Sequence, residues 1–435
     1  MIRKIKGTQD ILPGEIKKWQ DLEEVMRNVS KLFNFIEIRT PIFEASELFH
    51  RSVGETTDIV KKETYDFEDR GKRMNTLRPE GTASVVRSVI ENKLYTDENL
   101  PLKLYYYGPM FRYERPQKGR QRQFNQFGAE IVGSDSPLAD VEIINFAATF
   151  LRALNIKDIK IKINSLGDKE SKEAYQKALK EYLKPNISKL CSDCNRRYEE
   201  NPLRVLDCKV DKDNPVLIEA PKPYDYLSDS AKYHFDQVIN ALKSLDLNFE
   251  IDKNLVRGLD YYTHTVFEIE SDLETLGSQS TLVGGGRYNN LYASLEGPDL
   301  PAVGFAFGVE RLLLALEAID KNEEKEFIHA YFINLADFIE TDALSIINQL
   351  RHGGIIIDYD FFNKSLKAQF KQADRLNAKF YLIFGEDEAK KNVINVKSSA
   401  TGEQVEVPLA EIYQYLVGEL TNRNCSSNCD SCEGC

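Results

Sequence analysis

The 435-residue sequence lacks the features of several common protein classes. No apolar run approaches the roughly 20 residues that a membrane-spanning helix needs, so a membrane protein is not expected. Residues 1–7 (MIRKIKG) contain no apolar segment typical of a secretory signal, which predicts a cytoplasmic protein. Neither the phosphate-binding pattern GxxxxGKS/T nor the dinucleotide-binding pattern GxGxxG occurs, so a bound nucleotide would have to be held by other groups.

The chain also lacks an overall basic character. Its formal net charge is -12 and its pI is about 5.2, which argues against a general affinity for nucleic acids. The length and a hydrophobic content of 42% are sufficient for more than one buried core, so two or three domains are expected. Specific recognition of a polyanion through a local basic patch is compatible with this composition.

Residues 108–130 (GPMFRYERPQKGRQRQFNQFGAE) contain such a patch. Apolar strand patterns flank a loop that contains Pro116 and Gly119, which predicts a long hairpin. The loop carries one acid, Glu114, and five basic residues: Arg112, Arg115, Lys118, Arg120 and Arg122. Because contacts from Arg and Lys to phosphate supply most sequence-independent affinity for nucleic acids, the patch predicts a polyanion site. A solvated basic loop is the alternative.

Two later segments combine charged and phenolic side chains. Residues 255–268 (LVRGLDYYTHTVFE) place Arg257, Tyr261 and Tyr262 at a predicted turn that enters a strand. Residues 284–291 (GGGRYNNL) follow within about forty positions. A hairpin with a polar face would explain either segment alone, but it explains poorly why both occur so close together.

Residues 301–312 (PAVGFAFGVERL) predict an apolar strand that leads into a helix carrying Arg311. Gly304 and Gly308 have no side chains on this strand, so a nucleotide could approach the backbone closely. The GxxxG spacing has little meaning by itself, since no apolar run long enough for a membrane helix surrounds it.

Together these segments resemble those of a known family. Residues 35–41, 108–130 and 301–312 are similar to motifs 1, 2 and 3 of class II aminoacyl-tRNA synthetases. Residues 255–268 and 284–291 resemble the two signature peptides of histidyl-tRNA synthetases. The motifs occur in the family's order, and the resemblance extends to about residue 420.

The resemblance implies an α+β fold with several parts. Residues 1–322 would form a class II catalytic domain built on an antiparallel sheet, with a helical insertion at about 170–250. Residues 327–421 would form an α/β anticodon-binding domain, and residues 422–435 a cysteine-rich tail. Motif 1 further implies a homodimer, although an ordinary edge strand would also explain it.

The C-terminal part has its own pattern. Strands predicted near 330–334, 355–358, 380–384 and 393–396 alternate with helices, which predicts a small domain with a mainly parallel sheet. Between 349 and 380, six basic residues outnumber three acids: Arg351, Lys364, Lys367, Lys371, Arg375 and Lys379 against Asp358, Asp360 and Asp374. A solvated helix face is the commoner explanation, but the resemblance assigns this module to tRNA.

The resemblance also implies the roles of individual residues at an ATP site. Arg112 and Arg257 would hold the α-phosphate as catalytic residues together with Gln126. Arg311 would hold the far phosphate, and Gly304 and Gly308 would line the nucleotide. Mg²⁺ is expected to accompany ATP, without identified ligands. Residues expected to contact the acceptor end of tRNA are Arg115, Gln117, Lys118, Arg120 and Arg122.

A neighbouring site for L-histidine is implied in the same way. Glu80 and Thr82, with Gln126 nearby, match residues that hold the α-amino group. The residues expected to surround the imidazole are Glu130, Tyr261, Tyr262 and Tyr288. A neutral imidazole has one hydrogen-bond donor and one acceptor, so a carboxylate and a phenol can satisfy both.

The activity implied is formation of histidyl-adenylate from histidine and ATP, followed by transfer of the histidyl group to tRNA(His). Two alternatives keep the fold without this activity. One is the synthetase-like regulatory subunit of ATP phosphoribosyltransferase, and the other is a tRNA-binding or kinase-regulating protein that lost catalysis. The intact 257–262 segment and the attached C-terminal domain favour the ligase.

The seven cysteines fall into two groups. Cys191, Cys194 and Cys208 form a CxxC with one distant thiol, which lacks the fourth ligand of a structural zinc site, so they are expected to be small packing residues. The tail supplies four thiols at C-x3-C-x2-C-x2-C spacing: Cys425, Cys429, Cys432 and Cys435. This spacing could hold Zn²⁺, Cu(I) or an iron–sulfur cluster; a disordered tail without metal is the alternative.

Overall fold

The computed structural model describes residues 1–426 except 55–56, 58, 97, 99, 207, 209, 212, 260, 274–279, 320–326 and 336–341; the side chains of residues 61, 200 and 422–426 are also outside it. The chain divides into two compact units, Met1–Lys321 and Asn322–Cys435. The linker predicted at 320–326 lies outside the described residues. Within the described residues, no helix is long and apolar enough to cross a membrane.

The first unit contains ten α-helices and eleven strands within its described residues. The helices are α1 (Ile16–Leu32), α2 (Ser46–Val53), α3 (Thr82–Glu91), α4 (Pro137–Ala153), α5 (Lys169–Leu183), α6 (Ser192–Glu200), α7 (Pro215–Ile218), α8 (Asp229–Ser244), α9 (Leu291–Ser294) and α10 (Val309–Ile319). The strands are β1 (Ile36–Glu37), β2 (Phe43–Ala45), β3 (Tyr65–Glu68), β4 (Met74–Leu77), β5 (Leu102–Phe111), β6 (Gln123–Val132), β7 (Ile159–Ser165), β8 (Phe249–Ile251), β9 (Thr263–Ser271), β10 (Thr281–Arg287) and β11 (Ala302–Gly308). Short π- or 3₁₀-helical turns occupy Ile59–Glu63, Ile187–Lys189, Pro202–Val205 and Pro223–Tyr226.

Eight of these strands form one sheet in the order β1-β5-β6-β11-β10-β9-β7-β8. The inner pairings are antiparallel, and only the two edge pairings, β1 with β5 and β7 with β8, are parallel. The predicted antiparallel sheet is therefore confirmed. The strand predicted over 35–41 is wrong in length, because the carbonyls of Thr40 and Pro41 accept from the Arg78 guanidinium and β1 ends at Glu37.

Strand alternation determines which side chains face the core. In β6, Phe127, Ala129 and Ile131 are buried in the main hydrophobic core. Gln126 and Glu130 alternate with them and therefore point to the opposite face of the sheet, where they line a cavity. The period of two thus separates a packed apolar face from a functional face.

Aromatic rings fill the core beneath that face. Phe146 and Phe150 of α4 pack onto the sheet, with Phe150 stacked 4.9 Å from Phe307 and 5.8 Å from Phe127. The Phe146 ring meets Phe305 edge-on at 5.4 Å. Each phenylalanine buries a large apolar area, and this layer fixes β6 and β11 beneath the functional face.

The helices predicted at 171–183 and 230–245 are present as α5 and α8, in the segment between β7 and β8 where the insertion is expected. The two helices belong to different cores. Tyr175 and Leu179 of α5 join a separate cluster that reaches to Ala220, whereas Phe235 and Val238 of α8 pack in the main core. The part of the insertion with its own core is therefore shorter than 170–250.

The second unit is a smaller α/β structure. Its helices are α11 (Ala343–His352), α12 (Leu366–Arg375), α13 (Glu386–Lys391) and α14 (Ile412–Ser426). Its strands are β12 (Ala330–Asn334), β13 (Ile357–Tyr359), β14 (Phe380–Phe384), β15 (Val393–Ser398) and β16 (Gln404–Pro408), in the order β13-β12-β14-β15-β16. The two pairings of β12, with β13 and β14, are parallel, but β14 pairs with β15 and β15 with β16 in the antiparallel direction. The prediction of a mainly parallel sheet was therefore wrong. The connections of these last strands, residues 385–392 and 399–403, are shorter than the dozen or so residues that a parallel crossover needs.

Candidate active site

A cavity of about 440 Å³ lies on the functional face of the eight-stranded sheet. Thirteen residues predicted for the ATP, histidine and tRNA sites line it: Glu80, Thr82, Arg112, Arg120, Gln126, Glu130, Arg257, Tyr261, Tyr262, Tyr288, Gly304, Gly308 and Arg311. They come from β6, β11, the starts of α3 and α10, and the segments that follow β4, β5 and β10 or precede β9. The fold thus brings together residues that are up to 231 positions apart, from Glu80 to Arg311.

Glu130 is the most deeply buried acid in this cavity, with 1% of its surface exposed. Its Oε2 accepts from the Tyr288 hydroxyl at 2.6 Å, and its Oε1 accepts from the Thr82 hydroxyl at 3.1 Å. Burial raises the pKa of Glu130 to about 8, and the Tyr288 and Thr82 hydroxyls only partly offset this effect. A carboxyl group held in this way can donate or accept a proton near neutral pH.

The strand opposite Glu130 leaves room for its side chain. Gly304 of β11 pairs directly with Glu130, and a Cβ added at Gly304 would lie 1.6 Å from Glu130 Oε2. Glycine is therefore required here by the carboxylate. The close approach of a nucleotide at Gly304 and Gly308 stays a prediction; at Gly308 an added Cβ would face open space.

Glu80 and its neighbours form a second polar group at the N-terminus of α3. The Glu80 carboxylate accepts from the backbone N–H groups of Thr82 at 2.7 Å and Ala83 at 2.8 Å, so it caps the helix. Burial raises the pKa of Glu80, and the hydrogen bonds from these N–H groups, which lower it, only partly offset this effect. Gln126 accepts from the Gly81 N–H at 3.1 Å, which fixes its side-chain amide at the cavity wall.

Three tyrosines form an aromatic wall near Glu130. The Tyr261 ring lies 4.7 Å from Tyr262 and meets Tyr288 edge-on at 5.6 Å. Tyr262 and Tyr288 are buried, and burial raises the pKa of both phenols, which therefore stay neutral. Tyr288 lines the cavity, and its hydroxyl donates to Glu130, so it can hold this carboxylate in orientation.

Arg112 follows the end of β5 and reaches into the cavity from the hairpin side. Its Nε donates to the Pro79 carbonyl at 2.8 Å, and its guanidinium lies 5.3 Å from the Phe124 ring centre. Among the described residues, its two terminal nitrogens make no hydrogen bond. One side of the guanidinium is thus anchored while the other faces the cavity.

Arg257 enters from the opposite side and forms an ion pair with Glu268 of β9. Gly284 provides the space for it, because an added Cβ there would lie 2.3 Å from the guanidinium. The Nε of Arg257 is buried without a hydrogen-bond partner among the described residues. A buried donor of this kind is costly unless a ligand supplies the acceptor.

Thr281 connects this pair to Arg311. Its hydroxyl donates to Glu268 at 3.0 Å, and its carbonyl accepts from Arg311 at 2.9 Å. Burial lowers the pKa of Arg311, and the nearby Arg120 and Arg112 lower it further. Several guanidiniums therefore converge on one partly buried cavity, an arrangement that favours an anionic ligand.

The remaining predicted residues lie in the β5–β6 loop and fall into two groups. Arg115, Gln117 and Lys118 are exposed to solvent outside the cavity. Arg122 lies 4.0 Å over the Tyr113 ring, and its backbone N–H donates to the Gly7 carbonyl at 2.8 Å. The Arg122 side chain thus packs against the protein and supports the base of the loop.

Sequence reasoning missed several residues of the site. Glu268 fixes Arg257, Thr281 contacts both Glu268 and Arg311, and both oxygens of Glu310 accept from the Asn125 N–H at 2.8 and 3.0 Å. Burial raises the pKa of Glu310 to about 7. The position of Glu268 could have been found from the sequence, because it lies between the apolar residues Phe267 and Ile269. In a strand, its side chain must face away from the core that these two residues join.

Arg287 of the second signature peptide is a buried anchor outside the cavity lining. Its guanidinium pairs with Asp140 and donates to the carbonyls of Ser134 at 2.7 Å and Ser136 at 3.0 Å. Burial alone would raise the pKa of Asp140, but Arg287 and His234 outweigh it and lower the pKa to about 2. This pair fastens β10 to the start of α4.

Asp260 of the first signature peptide lies outside the described residues. The same holds for most of the thiolate site predicted in the tail: Cys429, Cys432 and Cys435 are not described, and Cys425 is described only in its backbone.

Comparisons with known proteins agree with the geometry. The family model described as histidyl-tRNA synthetase matches residues 7–312, and the model described as anticodon binding domain matches residues 329–419. A histidine–tRNA ligase of Geobacillus sp. (strain WCH70) is 52% identical over 417 residues, covering 96% of this chain and 99% of the relative.

Solved structures give the same result. The apo histidyl-tRNA synthetase of S. aureus is 41% identical with a TM-score of 0.83, covering 96% of this chain and all of that one. An ATP phosphoribosyltransferase regulatory subunit/histidyl-tRNA synthetase from Bacillus halodurans C matches at 21% identity with a TM-score of 0.61, covering 88% of this chain and 98% of that one; this likeness shows the fold alone. On the family-model match and the identity over nearly the whole length, the chain belongs to the histidyl-tRNA synthetase family.

Proposed function

We propose that this chain is a histidine–tRNA ligase that activates L-histidine with ATP and transfers the histidyl group to tRNA(His). The observation that carries the proposal is the cavity itself, in which a buried carboxyl group, Glu130, and a group of arginines share one space. The first suits an imidazole and the second suits a polyphosphate. Histidine-dependent exchange of pyrophosphate into ATP, followed by charging of tRNA, tests both steps.

Histidine is proposed to bind at the Glu130 end. Glu130 faces one imidazole nitrogen, and the Tyr262 and Tyr261 phenols lie at the same wall to meet the other. Tyr288 orients Glu130 through its hydroxyl. Sites that hydrogen-bond a substrate group reject analogues lacking it by roughly 10⁴ to 10⁵, so an apolar amino acid would be excluded without an editing domain.

The α-amino group is proposed to lie near Glu80, Thr82 and Gln126. Glu80 already accepts two backbone N–H groups, which leaves further lone pairs on its carboxylate for an ammonium group. The pKa of Glu80 is raised by burial, and a nearby substrate cation would favour its charged form. Glu80 would thus both start α3 and hold the substrate.

The α-phosphate is proposed to lie between Arg112 and Arg257, with the far phosphate at Arg311. The histidine carboxylate attacks the α-phosphorus, the bond to the bridging oxygen breaks, and pyrophosphate leaves. No side-chain nucleophile is required, so the protein contributes alignment and stabilisation of the charge that develops on the phosphate. The anchored Arg112 and the Arg257–Glu268 pair are held in place before the reaction, as this role requires.

Use of ATP with Mg²⁺ follows from membership of the family. Mg²⁺ prefers oxygen ligands and is usually shared between one or two carboxylates and the phosphates of the substrate. Glu268 and Glu310 line the cavity together with Arg311 and offer such oxygens, so the residues present fit the ion. When bound, it would neutralise phosphate charge.

The acceptor end of tRNA is proposed to contact the β5–β6 loop. Arg115, Gln117 and Lys118 are exposed at its tip, beside the cavity opening marked by Arg120. Their charge suits phosphate contacts. Arg122 is better assigned to positioning the loop, since its side chain packs on Tyr113.

Residues 327–421 are proposed to be the anticodon-binding domain of the enzyme, following a catalytic domain that ends near residue 322. The second unit exposes two adjacent aromatic side chains, Phe361 and Phe362, at 70% and 77%. Lys364 lies 5.1 Å over the Phe362 ring. Exposed aromatics beside basic residues can stack on unpaired bases, which supports a role with single-stranded RNA.

A fragment ending at Asp320 is expected to form histidyl-adenylate while charging tRNA far less efficiently, because every proposed ATP and histidine contact precedes this point. Pyrophosphate exchange and tRNA charging of the fragment and the full chain measure the two steps. If the fragment folds poorly, the full-length Phe361→Ala/Phe362→Ala protein tests the same assignment, and it is expected to keep pyrophosphate exchange while charging tRNA less efficiently. Equal charging by the fragment and the full chain would contradict the assignment of the second unit to tRNA.

We propose a homodimer formed around residues 35–41. Exposed apolar side chains occur on and near this segment: Leu32 at 78%, Ile36 at 68%, Ile42 at 44% and Phe43 at 55%. Such exposure is typical of surfaces that are covered by a partner. Sedimentation at working concentration is expected to show a dimer, and Phe43→Asp should shift it towards monomer. A wild-type chain that sediments only as monomer would exclude the dimer.

The proposal includes a cytoplasmic location, where tRNA is charged for translation.

The regulatory-subunit alternative is less well supported. The solved structure that carries that name is only 21% identical, whereas the relatives named histidine–tRNA ligase reach 52%. A cavity with an anchored Arg112 and the Arg257–Glu268 pair is also more than histidine binding alone would need.

A further inference from the structure

The helical insertion contains a cluster of three thiols and a carboxylate, none of which lines the cavity described above. Cys191, Cys194, Cys208 and Asp211 each direct one atom inward, and these four atoms all lie within 4.8 Å of one another. No fourth ligand was expected for this CxxC, but the fold brings a candidate, the Asp211 carboxylate three residues after Cys208, next to the three thiols.

The distances fit a tetrahedral metal ion. The sulfurs of Cys191 and Cys208 are 3.7 Å apart, and Cys208 Sγ lies 3.5 Å from Asp211 Oδ2. A tetrahedral site with zinc–sulfur bonds of about 2.3 Å has sulfur–sulfur edges of about 3.8 Å. These two separations match the edges of such a site, and the remaining pairs of ligand atoms lie within 4.8 Å of one another.

The local backbone places two of these thiols at the start of a helix. Cys191 is the N-cap residue of α6 and Cys194 lies in its first turn, where the helix dipole favours negative charge. Hydrogen bonding to Asp211 raises the pKa of the Cys191 thiol, and burial raises the pKa of the Cys194 thiol. The Asp211 N–H is directed at Cys208 Sγ at 3.4 Å, and the Cys191 N–H donates to Asp211 Oδ2 at 2.9 Å. Hydrogen bonds of this kind orient the ligands around a metal ion.

Burial makes the cluster unlike an ordinary packing site. Cys194 is fully buried and Cys208 is 4% exposed, within the separate core of the insertion. Packing alone explains two buried thiols, but it does not explain why a carboxylate turns towards three sulfurs from a neighbouring segment. A divalent cation would give all four groups a common partner.

We propose that Cys191, Cys194, Cys208 and Asp211 form a structural site for one soft divalent cation, Zn²⁺ being the best match to three thiolates and one carboxylate. All four protein ligands leave no open position, so the site is structural and not catalytic. The ion would tie the start of α6 to the segment around residue 208 and so close the small core of the insertion.

Metal content of the full-length chain tests the proposal, after the tail thiols are removed by Cys425→Ser, Cys429→Ser, Cys432→Ser and Cys435→Ser. This tail-serine protein, purified under reducing conditions with zinc in the growth medium, is expected to keep about one zinc per chain. Replacement of zinc by Co²⁺ should give a thiolate-to-cobalt charge-transfer band and the visible bands of a tetrahedral site. A tail-serine protein without stoichiometric metal would overturn the proposal.

Asp211→Asn in the tail-serine background tests the fourth ligand. It keeps the size of the side chain but removes the charge, and the zinc affinity is expected to fall at least about 10-fold, as with disturbed metal ligation in general. The matched control is Asp193→Asn, which removes an exposed carboxylate between the two cysteines of the CxxC and should leave zinc affinity unchanged. Equal zinc affinity of the Asp211→Asn and Asp193→Asn proteins, or a metal-free chain with a Cys191–Cys208 disulfide, would contradict the site.

Discussion

The Arg257→Ala protein is expected to fold normally and to form histidyl-adenylate about 10² to 10³ times more slowly, the usual cost of losing one preorganised group that stabilises charge in the transition state. Arg257 faces the cavity with a buried Nε that has no hydrogen-bond partner within the described part of the chain, and Glu268 fixes its orientation. Arg112 and Arg311 stay in place, so ATP binding should weaken only moderately. Histidine-dependent pyrophosphate exchange and ATP affinity measure the two effects separately.

The control for Arg257→Ala is Arg152→Ala, which removes an exposed guanidinium at the end of α4. It should not change the exchange rate. Glu268→Gln adds a second test, because it keeps Arg257 but removes the charge that holds it, and a smaller loss of rate is expected. Near-normal exchange by a well-folded Arg257→Ala protein would exclude its proposed role.

The second large effect is expected for Glu130→Gln. The amide has nearly the same shape, but it replaces the acceptor that the imidazole N–H is proposed to meet and disturbs the hydrogen bonds from Tyr288 and Thr82. Hydrogen bonds to charged groups contribute about 1.5–3 kcal/mol, which predicts a loss of up to about 10² in kcat/KM for histidine. Glu142→Gln, which alters a half-buried acid outside the cavity, is the control.

The raised pKa of Glu130 predicts a pH dependence of histidine binding. Below pH 8 the empty site holds mostly a protonated carboxyl group, whereas the carboxylate is the form that accepts the imidazole N–H. Binding of neutral histidine therefore releases a proton, and affinity should rise with pH up to about 8 and then level off. Titration calorimetry in two buffers measures the proton. A wild-type affinity that does not change between pH 6.5 and 8 would contradict this coupling, which Glu130→Gln should abolish.

Much of the fold was predictable because the motifs sit on regular elements. The alternation of apolar and polar residues in β6 predicts both the core contacts of Phe127 and the orientation of the Glu130 side chain towards the opposite face. The helices of the insertion likewise follow from their periodicity. Local patterns of this kind are present in the sequence itself.

Contacts between distant segments were less predictable. The Arg257–Glu268 pair and the bridge through Thr281 depend on how β9 and β10 align, which no local pattern encodes. The need for glycine at position 304 became clear only from its pairing with Glu130. In the same way, the proximity of Asp211 to Cys191 and Cys194 became clear only from the fold of the insertion.

The central claim is that one cavity activates histidine with ATP, and exchange of labelled pyrophosphate into ATP measures this step directly. The wild-type chain is expected to catalyse exchange only when L-histidine is present, and then to charge tRNA(His) when tRNA is added. Other amino acids should support exchange at least about 10⁴-fold less well. Absence of histidine-dependent exchange in a folded chain that binds histidine would contradict the ligase and favour a regulatory protein of the same fold.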